Sequence, residues 1–156
     1  MTKRIDYATL GREPLQALYR LERYVRESGL DHKLVSLLKL RASYINGCAN
    51  CVDMHTKDAR AEGESEQRLY AVPVWRDTPF FTPRERAALA YAEAVTNLPA
   101  RGVDDADIEA LREHFSDREI LDITFALVAI NSWNRLAVSL GADVGSYTVG
   151  QYRNAE

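Results

Sequence analysis

The amino-acid sequence predicts an all-α protein of about seven helices. Apolar residues recur at spacings of three and four along most of the 156-residue chain, which is the period of an amphipathic helix. Helix-capping residues and glycine-containing stop signals divide this pattern into separate segments. No segment shows the alternation of apolar and polar residues that is typical of a half-buried strand.

The first three helices are predicted over residues 14–28, 31–45 and 48–61. Asp31 begins the second helix, because its carboxylate accepts hydrogen bonds from the free backbone N–H groups of a helix start. Asn46-Gly47 ends that helix, since both residue types tolerate the left-handed backbone found at helix ends. The third helix therefore begins at about the first cysteine of the chain.

Four further helices are predicted over residues 65–72, 82–98, 104–115 and 117–140. Thr82-Pro83-Arg84-Glu85 and Ser116-Asp117-Arg118-Glu119 are both capping-box sequences, which mark the starts of the second and fourth of these helices. The last helix is the most apolar and is closed by Gly141. Residues 75–81 form a predicted loop, and its aromatic side chains are expected to cover a neighbouring subunit; these are Trp75, Phe80 and Phe81.

The predicted organisation is a single domain over residues 1–156, with a core over 15–140 and a loosely structured tail over 144–156. The chain carries 20 Lys and Arg against 23 Asp and Glu, a net charge of -3, which argues against binding to nucleic acid. It has no run of about 18 apolar residues that would predict a membrane span. The first residues lack the apolar stretch of a secretory signal, so a cytoplasmic protein is expected.

The chemistry is expected at Cys48, Cys51 and His55. The two cysteines are three residues apart at the start of a predicted helix, where free N–H groups and the helix dipole favour a thiolate. His55 follows Cys51 by four residues and therefore lies on the same helix face, where it can take the thiol proton. Two thiols and a base in this arrangement can reduce a peroxide through a sulfenic acid and then a disulfide.

Two other interpretations of the cysteine pair remain open. The cysteines could be buried as small apolar side chains. They could also bind zinc together with His55 and a fourth ligand from His32 or His114. A thioredoxin-like site is not expected, because it requires a strand before the CxxC helix.

The motif and the sequence around it also resemble a known family. The resemblance rests on Leu40-Arg41-Ala42-Ser43, Ile45-Asn46-Gly47-Cys48, Cys51, Asp53-Met54-His55 and Lys57-Asp58-Ala59. It continues in Glu66-Gln67-Arg68-Leu69, Trp75-Arg76, Thr82, Arg84-Glu85-Arg86, Ala88-Leu89, Asn131 and Trp133-Asn134-Arg135. These residues are similar to the AhpD-like alkylhydroperoxidases of the carboxymuconolactone decarboxylase superfamily, over residues 15–140.

The resemblance implies a helical homo-oligomer, commonly a dimer, trimer or hexamer, that reduces organic hydroperoxides or hydrogen peroxide without a cofactor or metal. Cys51 matches the peroxidatic thiol, Cys48 the resolving thiol, and His55 the family histidine. An external dithiol reductant, of lipoyl or thioredoxin type in the family, is expected to regenerate the thiols. Two alternatives are decarboxylation of a small lactone acid and a non-enzymatic oligomer that responds to redox state or binds zinc.

Ser36 is the position at which this chain departs from the family pattern. Family members carry a glutamate of the proton relay twelve residues before the first cysteine, and here that residue is Ser36. A serine hydroxyl passes a proton along a hydrogen-bond chain but is not a base near neutral pH. Tyr44 and Glu93 are candidate replacements for the missing proton acceptor. Peroxide turnover is therefore expected to be slow or directed at another substrate.

Three residues outside the motif have competing structural and functional interpretations. Arg41 is expected to form an ion pair at a helix surface, and the alternative is that it holds a partner carboxylate or stabilises the thiolate. Trp133 and Asn134 lie in the middle of an apolar helix, which favours packing and hydrogen bonding in the core. The alternative is that they line the pocket above the cysteines.

Overall fold

The structure is a computed structural model and describes residues 3–152. These residues form eight α-helices and one 3-10 helix. No strand occurs among these residues, so the all-α prediction is confirmed. The helices are α1 Tyr7–Leu10, α2 Arg12–Glu27, α3 His32–Ile45, α4 Ala49–Ala61, α5 Glu66–Ala71, α6 Pro83–Thr96, α7 Asp105–Arg112 and α8 Asp117–Leu140, with the 3-10 helix Val72–Asp77 between α5 and α6.

The seven predicted helices correspond to α2–α8, and α1 is the helix that the sequence analysis missed. It has four residues and is capped by Asp6, whose side chain accepts a hydrogen bond from the Thr9 backbone N–H. A helix of one turn is too short to show a helical period in the sequence. Its existence therefore depends on the cap and on the packing of α1 against α2.

The local signals that predicted the helix ends are confirmed. Asp31 caps α3 by accepting from the Lys33 backbone N–H, and complete capping boxes begin α6 at Thr82 and α8 at Ser116. Gly141 closes α8 with φ 82°. These ends use hydrogen bonds between residues two to four positions apart, which is why the sequence predicts them well.

The aromatic segment after α5 differs from its prediction. The 3-10 helix extends through Asp77, and Trp75 and Phe81 are buried in the core rather than free to cover a neighbouring subunit. The Trp75 indole donates a 2.8 Å hydrogen bond to Glu93, and the Arg68 guanidinium lies 4.9 Å from the centre of the Phe81 ring. Phe80 is half-buried against the core. The prediction of exposed aromatic side chains was wrong for Trp75 and Phe81, because polar partners within the chain satisfy this segment.

Helices α3 and α8 form the centre of the fold. Both pack against α4 and α6, and they also pack against each other. Their side chains provide the largest fully buried apolar groups, among them Leu37, Leu38 and Leu40 from α3 and Ile123, Leu127 and Ile130 from α8. Helix α4 packs against this central pair, so the cysteines at its start are attached to the buried core.

Helix α8 is also long and apolar enough to span a membrane by length and composition. In its most apolar 18-residue window, 44% of the residues are buried within the fold. Its contacts with α2, α3, α4, α6 and α7 are those of a core helix.

The C-terminal segment, which we define as residues 143–152, contains no helix but is anchored to the rest of the protein. Tyr147 is buried, and its hydroxyl lies 2.8 Å from both carboxylate oxygens of Asp58. Lys57 donates a 3.1 Å hydrogen bond to the carbonyl oxygen of Tyr147. The predicted tail is thus irregular but attached to α4 as far as residue 152. Residues 153–156 of this tail lie outside the described residues.

Truncating a core side chain of α8 is expected to destabilise the fold strongly. Leu127 is fully buried, so Leu127→Ala removes apolar contacts and leaves a cavity that costs about 2–5 kcal/mol. The free energy of unfolding in urea measures this loss. The exposed Leu98 is the matched control, and Leu98→Ala is expected to change stability by less than about 0.5 kcal/mol. Equal effects of the two substitutions would contradict the packing described here.

Candidate active site

The turn between α3 and α4 fixes the position of both cysteines. Gly47 has φ 65°, a conformation that a residue with a side chain rarely adopts, and the chain reverses direction there. The backbone N–H of Cys48 then donates a 3.0 Å hydrogen bond to the carbonyl oxygen of Ser43. This bond ties the start of α4 to the last turn of α3.

A network of polar side chains joins this turn to α8. The Asn46 side-chain amide donates to the Oδ1 atoms of Asn131 and Asn134, at 3.0 and 2.9 Å. The Asn134 amide in turn donates a 3.1 Å hydrogen bond to the Ser43 hydroxyl. Asn134 and Ser43 are fully buried. The core interpretation of Asn134 is therefore confirmed, and its hydrogen bonds hold the turn before the cysteines in place.

Cys48 and Cys51 meet at the N-terminus of α4. Cys48 is the capping residue, and its sulfur accepts a 3.3 Å hydrogen bond from the Cys51 backbone N–H. The Cα atoms of the two cysteines are 5.3 Å apart, and their sulfurs are joined in a disulfide. Both residues are only 1% exposed. The disulfide is thus buried within the fold.

The cavity next to Cys51 has a volume of about 300 Å³ and lies between α2, α3, α4, α8 and the C-terminal segment. Its lining brings together Cys51, His55 and Ser36. Cys48 is not part of this lining and instead borders a much smaller pocket beside Ala142 and Val144. The two cysteines therefore border different spaces, and Cys51, which is predicted to attack the peroxide, borders the larger one.

His55 lies one turn beyond Cys51 on α4. Its Nε2 atom is buried and has no hydrogen-bond partner among residues 3–152. Burial, together with the positive charge of Lys39, lowers the pKa of His55 from 6.5 to about 3. The imidazole is therefore neutral at neutral pH, and a neutral imidazole keeps one nitrogen able to accept a proton.

Aromatic side chains form much of the cavity wall. Trp133 of α8 lines the cavity, so the pocket interpretation of this residue is confirmed, and its ring centre lies 5.2 Å from that of Tyr19. The other aromatic lining residues are Tyr7, Tyr147 and Tyr152. Burial raises the pKa of both Tyr7 and Tyr19, which keeps their hydroxyls protonated and able to donate hydrogen bonds.

The sequence analysis missed an ion pair in the wall of the same cavity. Lys39 of α3 and Glu22 of α2 both line the cavity and form a salt bridge with each other. Lys39 is 9% exposed, although lysine is rarely buried. A signal was present: Glu22 follows Leu15 and Tyr19 at the helical spacing, so it places a charge on the inward face of α2.

The proposed replacements for the relay glutamate are not in the cavity. Among residues 3–152 the cavity lining includes neither Tyr44 nor Glu93. Glu93 instead accepts hydrogen bonds from Arg41, Arg76 and Trp75. Burial acts to raise the pKa of Glu93, but the bonds from Arg76 and Trp75 and the charge of Arg41 hold it below its usual value. Glu93 is a structural carboxylate, and the ion pair expected for Arg41 is confirmed.

The structure does not bring together the residues that were considered as zinc ligands. Within residues 3–152 no three His, Cys, Asp or Glu side chains lie close enough together to hold a metal ion. His32 lines the cavity at the start of α3, whereas His114 follows the end of α7. Asp53, which lies between Cys51 and His55 in sequence, forms a 2.9 Å salt bridge with Lys57.

Comparison with known proteins links this site to one family. Residues 13–94 match the carboxymuconolactone decarboxylase family. The chain is 37% identical to the uncharacterised protein YdfG of Bacillus subtilis over 141 residues, which cover 90% of this chain and 96% of YdfG.

Solved structures show the same relationship. A protein of unknown function from Agrobacterium tumefaciens, suggested to be the antioxidant defence protein AhpD, superimposes with a TM-score of 0.90 at 48% identity, covering 94% of this chain and all of that one. An uncharacterised peroxidase-related protein from Silicibacter sp. TM1040 gives a TM-score of 0.78 at 28% identity, covering 90% of this chain and 75% of that one.

The partly buried His55, whose Nε2 atom is fully buried, is expected to make folding stability depend on pH. Unfolded, the imidazole binds a proton near its ordinary pKa of 6.5, whereas in the folded protein it does so only at about pH 3. Protons therefore bind preferentially to the unfolded chain between these values, and stability falls as the pH drops below 6.5. We expect His55→Gln to reduce the loss of unfolding free energy between about pH 7 and about pH 5.

The exposed His32 provides the control, and His32→Gln is expected to leave the pH dependence of the wild type unchanged. Urea unfolding of the three proteins at both pH values measures the difference. If His55→Gln loses as much stability on acidification as the wild type, the imidazole is not held neutral by burial.

Proposed function

We propose that this protein is a thiol-dependent peroxidase. The chain belongs to the carboxymuconolactone decarboxylase superfamily and is one of its AhpD-like members. Its substrates are organic hydroperoxides or hydrogen peroxide. The observation that carries the proposal is that Cys51 and His55 line one cavity, while Cys48 is bonded to Cys51 from outside that cavity.

The reaction begins with the reduced pair. His55, neutral in its buried position, accepts the proton of the Cys51 thiol, and the thiolate attacks one oxygen of the peroxide. The O–O bond breaks, its electron pair leaves with the other oxygen, and the proton held by His55 converts that oxygen into an alcohol or water. Cys51 becomes a sulfenic acid. The position of α4 contributes, because helix N–H groups at its first turn stabilise a thiolate.

The second half of the cycle uses Cys48. Its sulfur attacks Cys51, the disulfide forms, and the sulfenic oxygen leaves as water after taking up the thiol proton. An external dithiol then returns two electrons and two protons through thiol–disulfide exchange. We propose such a dithiol as the partner of the protein and require no cofactor or metal. The cytoplasm, which keeps thiols reduced, is the compartment that suits this cycle.

Decarboxylation of a small lactone acid is not favoured by any feature of the site. That reaction has no use for two sulfurs that open and close a disulfide. In contrast, both cysteines and the histidine of the CxxCxxxH motif each take part in one step of the proposed peroxide reduction. The peroxidase is therefore the proposal that uses the residues found here.

We further propose that the protein is a homo-oligomer, as the resemblance to the AhpD-like family implies. Helix α8 exposes a row of apolar side chains at spacings of four and three, with Leu121 47%, Phe125 37% and Val128 43% exposed. Contacts between subunits commonly cover an exposed apolar patch of this kind. The row lies on the opposite side of α8 from the buried Ile123 and Leu127.

The peroxidase proposal is tested by steady-state peroxide reduction with dithiothreitol as the electron donor. We expect Cys51→Ser to abolish turnover and His55→Gln to lower kcat/KM by about 10²–10⁴-fold, since the thiol then loses its base. In Cys48→Ser the sulfenic acid has no resolving partner, so Cys51 should be trapped by dimedone. Ser65→Ala, which removes a hydroxyl from the exposed cap of α5, is the control. Turnover that persists in Cys51→Ser would refute the assignment of the nucleophile.

The proposed contact surface is tested by the molar mass in solution. Phe125→Glu places a charge in the apolar row of α8 and is expected to lower the mass measured by light scattering to that of the monomer. The same change at the exposed Leu98, which lies outside α8, should leave the oligomer intact. A monomeric wild type, or an oligomer that tolerates Phe125→Glu, would remove this part of the proposal.

A further inference from the structure

The salt bridge between Lys39 and Glu22 lies in the wall of the cavity, a position that apolar side chains could also occupy. Both residues come from inward-facing helix positions and both line the cavity of Cys51 and His55. Their side chains are 11% and 25% exposed. Burying an ion pair costs solvation energy that the attraction between the charges only partly returns, so apolar residues are often as stabilising at such positions.

The location of the ammonium group relates it to the proposed chemistry. Lys39 lies on the same face of α3 as Ser36, one turn further along. Lys39 and His55 line the same cavity, and the positive charge of Lys39 adds to burial, the larger cause, in lowering the pKa of that imidazole. The charge of Lys39 therefore extends across the cavity to the helix that carries Cys51, in a space where the low dielectric strengthens charge interactions.

We propose that Lys39 stabilises the thiolate of Cys51 and that Glu22, by pairing with Lys39, limits this stabilisation. The pair would tune the reactivity of the thiol in a chain that has serine at the family's glutamate position. This inference deepens the proposed function, on which it rests, because it concerns the same thiol. Lys39 and Glu22 act here as positioning and charge-setting residues and need not touch the peroxide.

Other charged groups around the cavity are less suited to this role. Besides His55 and the tyrosines, the lining residues with acidic or basic side chains are Glu22, Arg26, His32, Lys39, Asp58 and Glu62. Arg26 and His32 are exposed, and solvent weakens the electrostatic interactions of groups at such positions. Asp58 and Glu62 follow Cys51 by seven and eleven residues on or at the end of α4, so they lie roughly 10 and 16 Å further along its axis.

The four tyrosines that line the cavity add no net charge that could offset the charge of Lys39. Burial raises the pKa of Tyr7 and Tyr19, and the Tyr147 hydroxyl donates to the Asp58 carboxylate. Neutral hydroxyls offer hydrogen bonds but no net charge. Lys39 is therefore the buried cation of the cavity within the described residues.

The inference predicts opposite effects from the two halves of one salt bridge. Lys39→Met removes the cation and leaves Glu22, so the thiolate becomes harder to form. Glu22→Gln removes the anion and leaves Lys39 unopposed, so the thiolate becomes easier to form. Ser36→Glu adds an anion one turn from Lys39 and should act in the same direction as Lys39→Met.

The experiment measures how fast Cys51 is alkylated by iodoacetamide as a function of pH. A Cys48→Ala background leaves Cys51 as the single cysteine of the chain, and the mass of the intact protein gives the rate. We expect the midpoint of the pH profile to rise by about one unit in Lys39→Met and to fall in Glu22→Gln. Lys39→Arg keeps the charge and should remain closer to the parent than Lys39→Met does.

Matched controls use the exposed residues Lys33 of α3 and Glu27 of α2. Lys33→Met and Glu27→Gln should leave the midpoint unchanged. If Lys39→Met does not fold, Ser36→Glu and Glu22→Gln still give the two opposite shifts. Midpoints that stay constant, or that move in the same direction in the cation-removing and anion-removing variants, would overturn the inference.

Alkylation requires no peroxide, so the result is separate from the test of the proposed function. Opposite shifts in a protein that fails to reduce peroxide would support the charge-setting pair and reject the peroxidase. Peroxide turnover together with constant midpoints would support the peroxidase and reject the pair.

Discussion

The hydrogen-bonded turn between α3 and α4 is the constraint on which the site depends. Asn46 and Asn134 connect this turn to the central helix α8, and the Cys48 backbone is bonded to Ser43. Ser43, Cys48 and Asn134 are buried, so breaking the hydrogen bonds among them leaves unsatisfied polar atoms in the core. The sulfurs are thus held at a helix N-terminus by the core itself, and the cavity supplies the base, the ion pair and the aromatic wall around Cys51.

The parts of this arrangement that depend on neighbouring residues were predictable from the sequence. Residue spacing within one helix places Cys51 and His55 on one face, and the Asn46-Gly47 turn is marked by its residue types. The helix starts at Thr82 and Ser116 follow from capping boxes of four residues. Each of these features is decided by contacts three or four positions apart, so the structure agrees with the sequence there.

The parts that depend on distant residues were not predictable. The cavity needs α2, α8 and the C-terminal segment to meet around α4, and no spacing rule tells which helices become neighbours. Trp75 and Phe81 were expected at the surface, but partners on α5 and α6 bury them. Glu22 and Lys39 were visible only as charges on apolar helix faces, and their pairing requires the packing of α2 beside α3. The family glutamate missing at Ser36 has no counterpart at Tyr44 or Glu93.

The proposed function requires Cys51 and Cys48 to exchange electrons with a peroxide inside the cavity. The most direct test mixes the reduced protein with one equivalent of cumene hydroperoxide in the absence of any reductant. Cumyl alcohol is then quantified beside the disulfide, which is located by peptide mass spectrometry. We expect one molecule of cumyl alcohol for each Cys48–Cys51 disulfide formed. Peroxide that remains unconsumed while both thiols stay reduced would contradict the proposed peroxidase.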